Sequence, residues 1–425
     1  MKFIKFTIVY IISFMMLTSA AYGRNVILIV PDGCSIPIWS AVRAMTVGVD
    51  SSLNIDRFPI QGRCKTYSAN AMITDSAAAG TAFACGIKTN NGVLGMTSTT
   101  TRGDSLTGQS VESILETAQK KGYATGLVTT ASIPHATPAA FFSHRADRNW
   151  YELIAHDMVD SGVDIIMGGG REYMIPKGTK DEEGAPSKRS DNRNIIEEMK
   201  NKDYEYIHDL KGFESIDIEE SEKLLCLFNP GHMNYELDRG NDVNGEPGLR
   251  EMTNTALKIL SRNKKGFFLL IEAGRIDHAA HIHDTDRFLY DGIACDKAVG
   301  VALDFANKNK NTLVIVVPDH GTGGPYFVGV NGVNGEVISY DKAGFIRSGL
   351  DESGYPVDNG GKPIAMQWIE WKGHTGEDVG YFAMVNRRKT LGSLFGVKNP
   401  ELGGLIDNTD VYKVMSVFLK LSGKK

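Results

Sequence analysis

The sequence has no CxxC pair or other zinc-finger spacing, and it contains only five cysteines: Cys34, Cys64, Cys85, Cys226 and Cys295. That odd number leaves at least one thiol without a partner in the chain, which argues against a disulfide-dense scaffold. Cys34 and Cys85 lie among small residues and read first as small buried side chains. No Asn-x-Ser/Thr sequon occurs, which favours a bacterial exported protein over a eukaryotic secreted one. No G-x-S-x-G elbow occurs either, so a serine nucleophile of the α/β-hydrolase kind is excluded. Basic residues are not in excess: 46 Lys and Arg stand against 51 Asp and Glu, a net charge of −5. Nothing therefore suggests a nucleic-acid surface. Internal repeats and low-complexity tracts are absent as well.

What remains is ordinary globular material: 425 residues, 42 % hydrophobic and 23 % charged, enough for a large core. At the N-terminus, Lys2 and Lys5 precede a mostly apolar run from Phe6 to Leu17, then small residues ending at Ala21-Tyr22-Gly23. This order predicts a signal peptide over residues 1–23 and export to the periplasm or the extracellular space. The run is shorter than the roughly 20 residues of a membrane span, so no stable span is expected.

From residue 24 onward, apolar β-branched runs alternate with helical patterns. The predicted strands are Asn25–Val30, Thr125–Thr130, Asp164–Met167, Phe267–Ile271, Thr312–Val317 and Tyr381–Val385. The predicted helices are Val111–Lys121, Asn149–Asp160, Met252–Asn263, Asp286–Asn307 and Thr409–Lys420. Continuous apolar strands alternating with helices predict an α/β fold, with a central, mostly parallel sheet flanked by helices on both faces. Residues 24–425 read as one catalytic domain. A Gly-rich, turn-rich stretch at about 321–372, with a short strand at Val337–Tyr340, reads as a small inserted subdomain.

Several strands stop at metal-type side chains. Asp32 follows the first, Thr129 and Thr130 end the second, Glu272 ends the fourth, and Asp319-His320 follow the fifth. Ligands of open α/β sheets bind at the carboxyl ends of the strands. Glu272, Asp277, His278 and His281 fall within one stretch, with Asp277 and His281 one helical turn apart. Such a pair suits zinc, which takes nitrogen and oxygen ligands. A salt-bridged helix start neutralised by Arg275 is the simpler alternative for that stretch alone. Ser76 opens a small-residue helix, Thr74-Asp75-Ser76-Ala77-Ala78-Ala79-Gly80, where it is either an N-cap or a nucleophile beside an anion site. A serine hydroxyl needs a base or a metal to activate it. His144, His156, His208, His232 and His283 sit in no comparable constellation.

Seven segments, in this order, resemble the alkaline phosphatase family: Asp32-Gly33; Asp75-Ser76-Ala77; His135-Ala136-Thr137-Pro138-Ala139; Arg148-Asn149-Trp150-Tyr151; Glu272 to His281; Asp319-His320; and His374-Thr375-Gly376-Glu377-Asp378. They extend from Val26 to about Val385. The resemblance implies hydrolysis of small phosphate monoesters at a site of two Zn²⁺ and one Mg²⁺. It implies Ser76 as the nucleophile that becomes phosphorylated, and Arg148 as the clamp on the phosphoryl oxygens. Asp277, His281 and His374 are then ligands of the first zinc, and Asp32, Asp319 and His320 of the second. Asp32, Thr137 and Glu272 form the magnesium site, and His135 and His278 stand beside the metals.

The chain departs from the family pattern in three places. His135 and His278 occupy positions where the family varies between His and Asp or Lys, so the third-site metal is not fixed. Pro31 precedes Asp32 where Gly is commoner, and Gly321-Thr322 follow His320 in place of Ser-His. Arg24 lies directly before the first strand, leaving no room for the N-terminal arm through which family dimers often embrace; a homodimer stays open. The nearest rival is a phosphodiesterase of the same metal-enzyme superfamily. Diesterases commonly lack the Thr/Glu magnesium pair and the clamping Arg, so Thr137, Glu272 and Arg148 favour monoesters. The Cys-x-Pro-x-Arg or Ser-x-Pro-x-Arg segment of sulfatases is missing.

Overall fold

In the computed structural model of the chain, residues 23–328, 343–344, 365–385 and 404–421 are described. The predicted signal segment up to residue 22 and the predicted strand Val337–Tyr340 lie outside them.

Runs such as Asn25-Val26-Ile27-Leu28-Ile29-Val30 are apolar at nearly every position, so each needs cover on both faces. The central sheet and its helices provide it. The first eight strands are β1 (Asn25–Val30), β2 (Ile60–Lys65), β3 (Ala124–Ser132), β4 (Ile165–Gly169), β5 (Glu205–Ile207), β6 (Leu224–Leu227), β7 (Phe267–Glu272) and β8 (Thr312–Val316). The remaining ones are β9 (Gly321–Thr322), β10 (Pro325–Val328), β11 (Ala343–Gly344), β12 (Ala365–Trp368), β13 (His374–Thr375), β14 (Val379–Val385) and β15 (Leu405–Asp407). The ten-stranded central sheet runs β15-β2-β14-β8-β1-β7-β3-β4-β6-β5. Only β14 lies antiparallel to its neighbours, β2 and β8.

Alternation along the strands divides the core into two layers. Val26, Leu28 and Val30 of β1 pack on one face with Phe83, Ile154 and Met415, from helices Ser76–Cys85, Tyr151–Ser161 and Asn408–Phe418. Ile27 and Ile29 pack on the other with Ile38, Met252 and Phe288, from helices Pro37–Thr46, Leu249–Leu260 and Thr285–Lys308. The expected α/β architecture is therefore present. All five cysteines are buried and unpaired, consistent with the reading of Cys34 and Cys85 as small buried side chains.

Within the Gly-rich stretch, the described residues form a three-stranded sheet, β10-β12-β11. They also supply β9, which pairs with β13 so that Thr322 lies opposite His374 and Gly321 opposite Thr375. Among the described residues, no helix is long and apolar enough to cross a membrane.

Candidate active site

β8, β1, β7 and β3 are adjacent and parallel, so their carboxyl ends share one edge of the sheet. Register sets the side chains side by side there: Glu272 is paired with Val30 on one side and Thr129 on the other. Asp32, two residues past Val30, Glu272, and Asp319-His320, past β8, are all fully buried. Both carboxylate oxygens of Asp32 and one of Glu272 have no hydrogen-bond partner. The other Glu272 oxygen accepts from the Thr129 hydroxyl. Burial, compounded by Asp319, Asp277 and Glu272, drives Asp32 well above the usual carboxylate range. Burial also pushes Glu272 up to about 7, against the pull of the Thr129 and Thr137 hydroxyls. Carboxylates packed this way keep their charge only with a cation among them.

Gly33 permits the close approach of the next element. Its φ is +65°, and a Cβ there would come within 2.5 Å of Asp277 Oδ1. Asp277 and His281 lie on helix Arg275–His281, with His281 Nε2 3.3 Å from Asp277 Oδ2. His374, on β13, places Nε2 3.9 Å from Asp277 Oδ1. Its Nδ1 bonds the Thr74 carbonyl at 2.9 Å, and His281 Nδ1 bonds that of Lys372 at 2.6 Å. A carbonyl can only accept, so each ring carries its proton on Nδ1. Burial and the neighbouring His320 push His374 down to about 4, which keeps it neutral. Its bare Nε2 therefore faces a carboxylate that has no proton to give. A cation between them resolves this conflict.

The ligand atoms of Asp277, His320 and His374, of Asp32, Asp319 and His320, and of Asp32, His135 and Glu272 each lie within 4.8 Å of one another. The first two sets offer nitrogen and oxygen, as zinc prefers; Asp32, Glu272 and the buried Thr137 hydroxyl offer the oxygens magnesium prefers. His135 stands in that third set as well.

Ser76 is 1 % exposed, and its Oγ lies 3.2 Å from His320 Nε2. The helix cap is Asp75 rather than Ser76: an Asp75 oxygen accepts from Ala78 N at 3.0 Å, leaving the serine hydroxyl uncommitted to capping. The other Asp75 oxygen accepts from Gly92 N and from Arg148 Nη1, each at 3.0 Å. Arg148 Nη2 donates to His135 Nε2 at 3.0 Å, so both arms of the guanidinium are anchored. Despite burial, Arg148 holds Asp75 below the usual carboxylate range.

The His320–Ser76 contact distinguishes two chemistries. A histidine base in a triad is oriented by a carboxylate at the nitrogen remote from the serine. Here the carboxylates surround Nε2, the same nitrogen that faces Ser76: Asp319 Oδ2 at 3.2 Å and Asp32 Oδ1 at 3.6 Å. That arrangement suits a metal ligand better than a triad base.

His278 Nδ1 contacts Arg275 Nη1 at 2.8 Å, and the Arg275 guanidinium lies 3.7 Å over the Tyr235 ring. His232, set apart in the sequence, joins this group in space: its ring is 4.3 Å from that of His278 and 5.3 Å from that of His135. Burial depresses all three, His232 to about 3 and His278 to about 4. No spacing in the sequence links His232 to the other two. Asp75 lies inside one of the seven family segments and Thr129 ends the second predicted strand, but their partners are not legible there.

The family model described as alkaline phosphatase matches residues 23–344. The chain is 37 % identical over 332 residues to alkaline phosphatase of Gadus morhua, covering 70 % of this chain and 69 % of that one. It is 36 % identical over 332 residues to the tissue-nonspecific isozyme of Gallus gallus, covering 70 % of this chain and 63 % of the isozyme. The solved alkaline phosphatase of the Antarctic bacterium TAB5 superposes with a TM-score of 0.73 at 26 % identity, covering 95 % of this chain and 100 % of that one. A histidine-to-aspartate variant of the TAB5 enzyme holds magnesium in its M3 site; it matches at a TM-score of 0.71 and 26 % identity, covering 95 % and 99 %. The chain belongs to the alkaline phosphatase family.

Proposed function

We propose that the protein is an exported phosphomonoesterase that hydrolyses small phosphate monoesters to alcohol and inorganic phosphate through a phosphoserine on Ser76. The observation that carries this reading is the set of buried, unpartnered carboxylate oxygens of Asp32 and Glu272 beside a serine at a helix N-terminus. Asp277, His281 and His374 would hold one Zn²⁺, and Asp32, Asp319 and His320 a second. Asp32, Thr137 and Glu272 would hold Mg²⁺, with His135 and His278 beside the metals. When bound, these ions would supply Lewis acidity that lowers the pKa of an oxygen nucleophile and offsets charge on the transferring group.

The chain's own groups do the rest. Asp75 and His135 hold Arg148 so that its remaining N–H groups can meet two phosphoryl oxygens. The helix N-terminus favours the incoming anion. Ser76 Oγ forms a bond to phosphorus as the bond to the leaving oxygen breaks; water then attacks the phosphoserine and frees the Ser76 oxygen. The reading extends to a signal peptide over residues 1–23 and a catalytic unit over 24–425 with an insertion at about 321–372.

The test is an assay of purified protein on an aryl phosphate, a bis-aryl phosphate and an aryl sulfate, with and without chelator. The expected result is a dominant monoester rate that chelator abolishes and added metal restores. Chelator-resistant turnover, or a diester rate above the monoester rate, would refute the proposal; the latter would favour the diesterase alternative.

A further inference from the structure

We propose that Thr322 is a positioning residue that couples the two zinc-type ligand sets through a single hydroxyl. This inference rests on the metal reading of the site. Thr322 is fully buried, and its Oγ1 lies 2.6 Å from Asp277 Oδ1 and 3.2 Å from His320 Nδ1. A threonine hydroxyl has one proton to donate. The shorter contact, to a carboxylate, takes it, because O–H···O⁻ bonds are the stronger and shorter kind. The remaining lone pairs can only accept, so His320 must donate from Nδ1. The proton on Nδ1 leaves the His320 Nε2 lone pair free, and Nε2 is the atom facing Asp32, Asp319 and Ser76. One hydroxyl thus orients a carboxylate of one set and fixes the tautomer of an imidazole of the other.

The local fold is built to hold it there. Thr322 sits opposite His374 in the β9–β13 pair, so its backbone is tied to a third ligand residue. Gly321 lets the chain pass: a Cβ there would come within 2.4 Å of Glu377 Oε1 and 2.6 Å of Thr375 Oγ1. Gly323, with φ at +70°, turns the chain away again. At Gly323 a Cβ would also come within 2.8 Å of the Ala280 carbonyl oxygen, so a larger residue there would push the chain away.

Hydrogen-bonding partners outside the ligand shell are typically worth about 10- to 100-fold in metal affinity. The experiment uses full-length protein as wild type, Thr322→Val and Thr322→Ser. Each is stripped of metal, melted to compare folding, and titrated with zinc against a chromophoric chelator. Thr322→Val keeps the shape and loses the hydroxyl, so its zinc affinity is expected to fall about 10- to 100-fold; Thr322→Ser is expected to bind as wild type does. Independently of any variant, nitrogen-15 NMR of metal-free wild type should show His320 protonated at Nδ1. Equal zinc affinity in Thr322→Val and wild type, or a His320 protonated at Nε2, would overturn the coupling role and leave the phosphatase reading standing. A wild type that binds no zinc would overturn both.

Discussion

The two ligand sets proposed for zinc differ in how the fold presents them. Asp32, Asp319 and His320 sit just past strand ends with fully buried side chains. Asp277, His281 and His374 sit on a helix and a short strand, with side-chain exposures of 5 %, 37 % and 17 %. Their electrostatics are opposed as well. Burial and three neighbouring carboxylates push Asp32 up. Asp277 is buried too, yet the His281 hydrogen bond and the surrounding imidazoles hold it well below the usual range. One set is a sealed pool of negative charge that requires a cation; the other is half-open, with histidines already facing its carboxylate. A dry inner position suits holding a nucleophile, and an open one suits a departing group and incoming water.

The sharpest way to break this contrast is to remove one ligand from each side. Asp32 belongs to two of the close-packed ligand groups and His281 to none of them. Asp32→Ala should therefore lose metal at two sites, together with several orders of magnitude in turnover. His281→Ala should lose metal at one site only. Elemental analysis of both variants decides it, and equal losses would erase the distinction. A smaller effect is expected at Arg148, which lies outside both sets. Arg148→Ala should lower kcat/KM by roughly 10- to 100-fold, the worth of charged hydrogen bonds, while metal content stays at the wild-type level. Loss of metal in that variant would make Arg148 part of the metal scaffold.

The smallest effect concerns a buried carboxylate outside both sets. Asp291, on helix Thr285–Lys308, is raised by burial to about 8 although Glu236 N donates to it. Its folded pKa lies above its unfolded one, so the folded state binds the extra proton between about pH 4 and 8. Stability from this group is fully present below the unfolded pKa and is lost as pH rises toward 8. Asp291→Asn should flatten that part of the Tm–pH profile, and an unchanged slope would contradict the assignment.

Much of the fold and site is legible in the chain because parallel buried strands announce themselves. β1, β7 and β8 read as apolar runs, and the residues at or just past the end of each run stand at the shared edge. β2 is not legible: Ile60-Gln61-Gly62-Arg63-Cys64-Lys65 mixes polar and apolar residues near the sheet margin and resembles a loop. Helix Pro37–Thr46 does not stand out either, since its pattern comes directly after the Asp32 segment without a side-chain cap. The sequence leaves Ser76 either to cap its helix or to react; Asp75 does the capping. His232 and Thr322 escape a linear reading because their meaning depends on contacts across 100 and 45 residues of chain, to Ser132 and Asp277. The Gly321-Thr322 departure from the family's Ser-His is visible, but only the β9–β13 pairing places its hydroxyl.

The central claim is that Ser76 carries the phosphoryl group. Incubating metal-loaded protein with labelled phosphate or substrate, quenching in acid and mapping the peptides tests it directly. The account predicts label on the peptide containing Ser76 and none in Ser76→Ala, whose zinc content stays that of wild type. Label on another residue, or turnover surviving in Ser76→Ala, would contradict it.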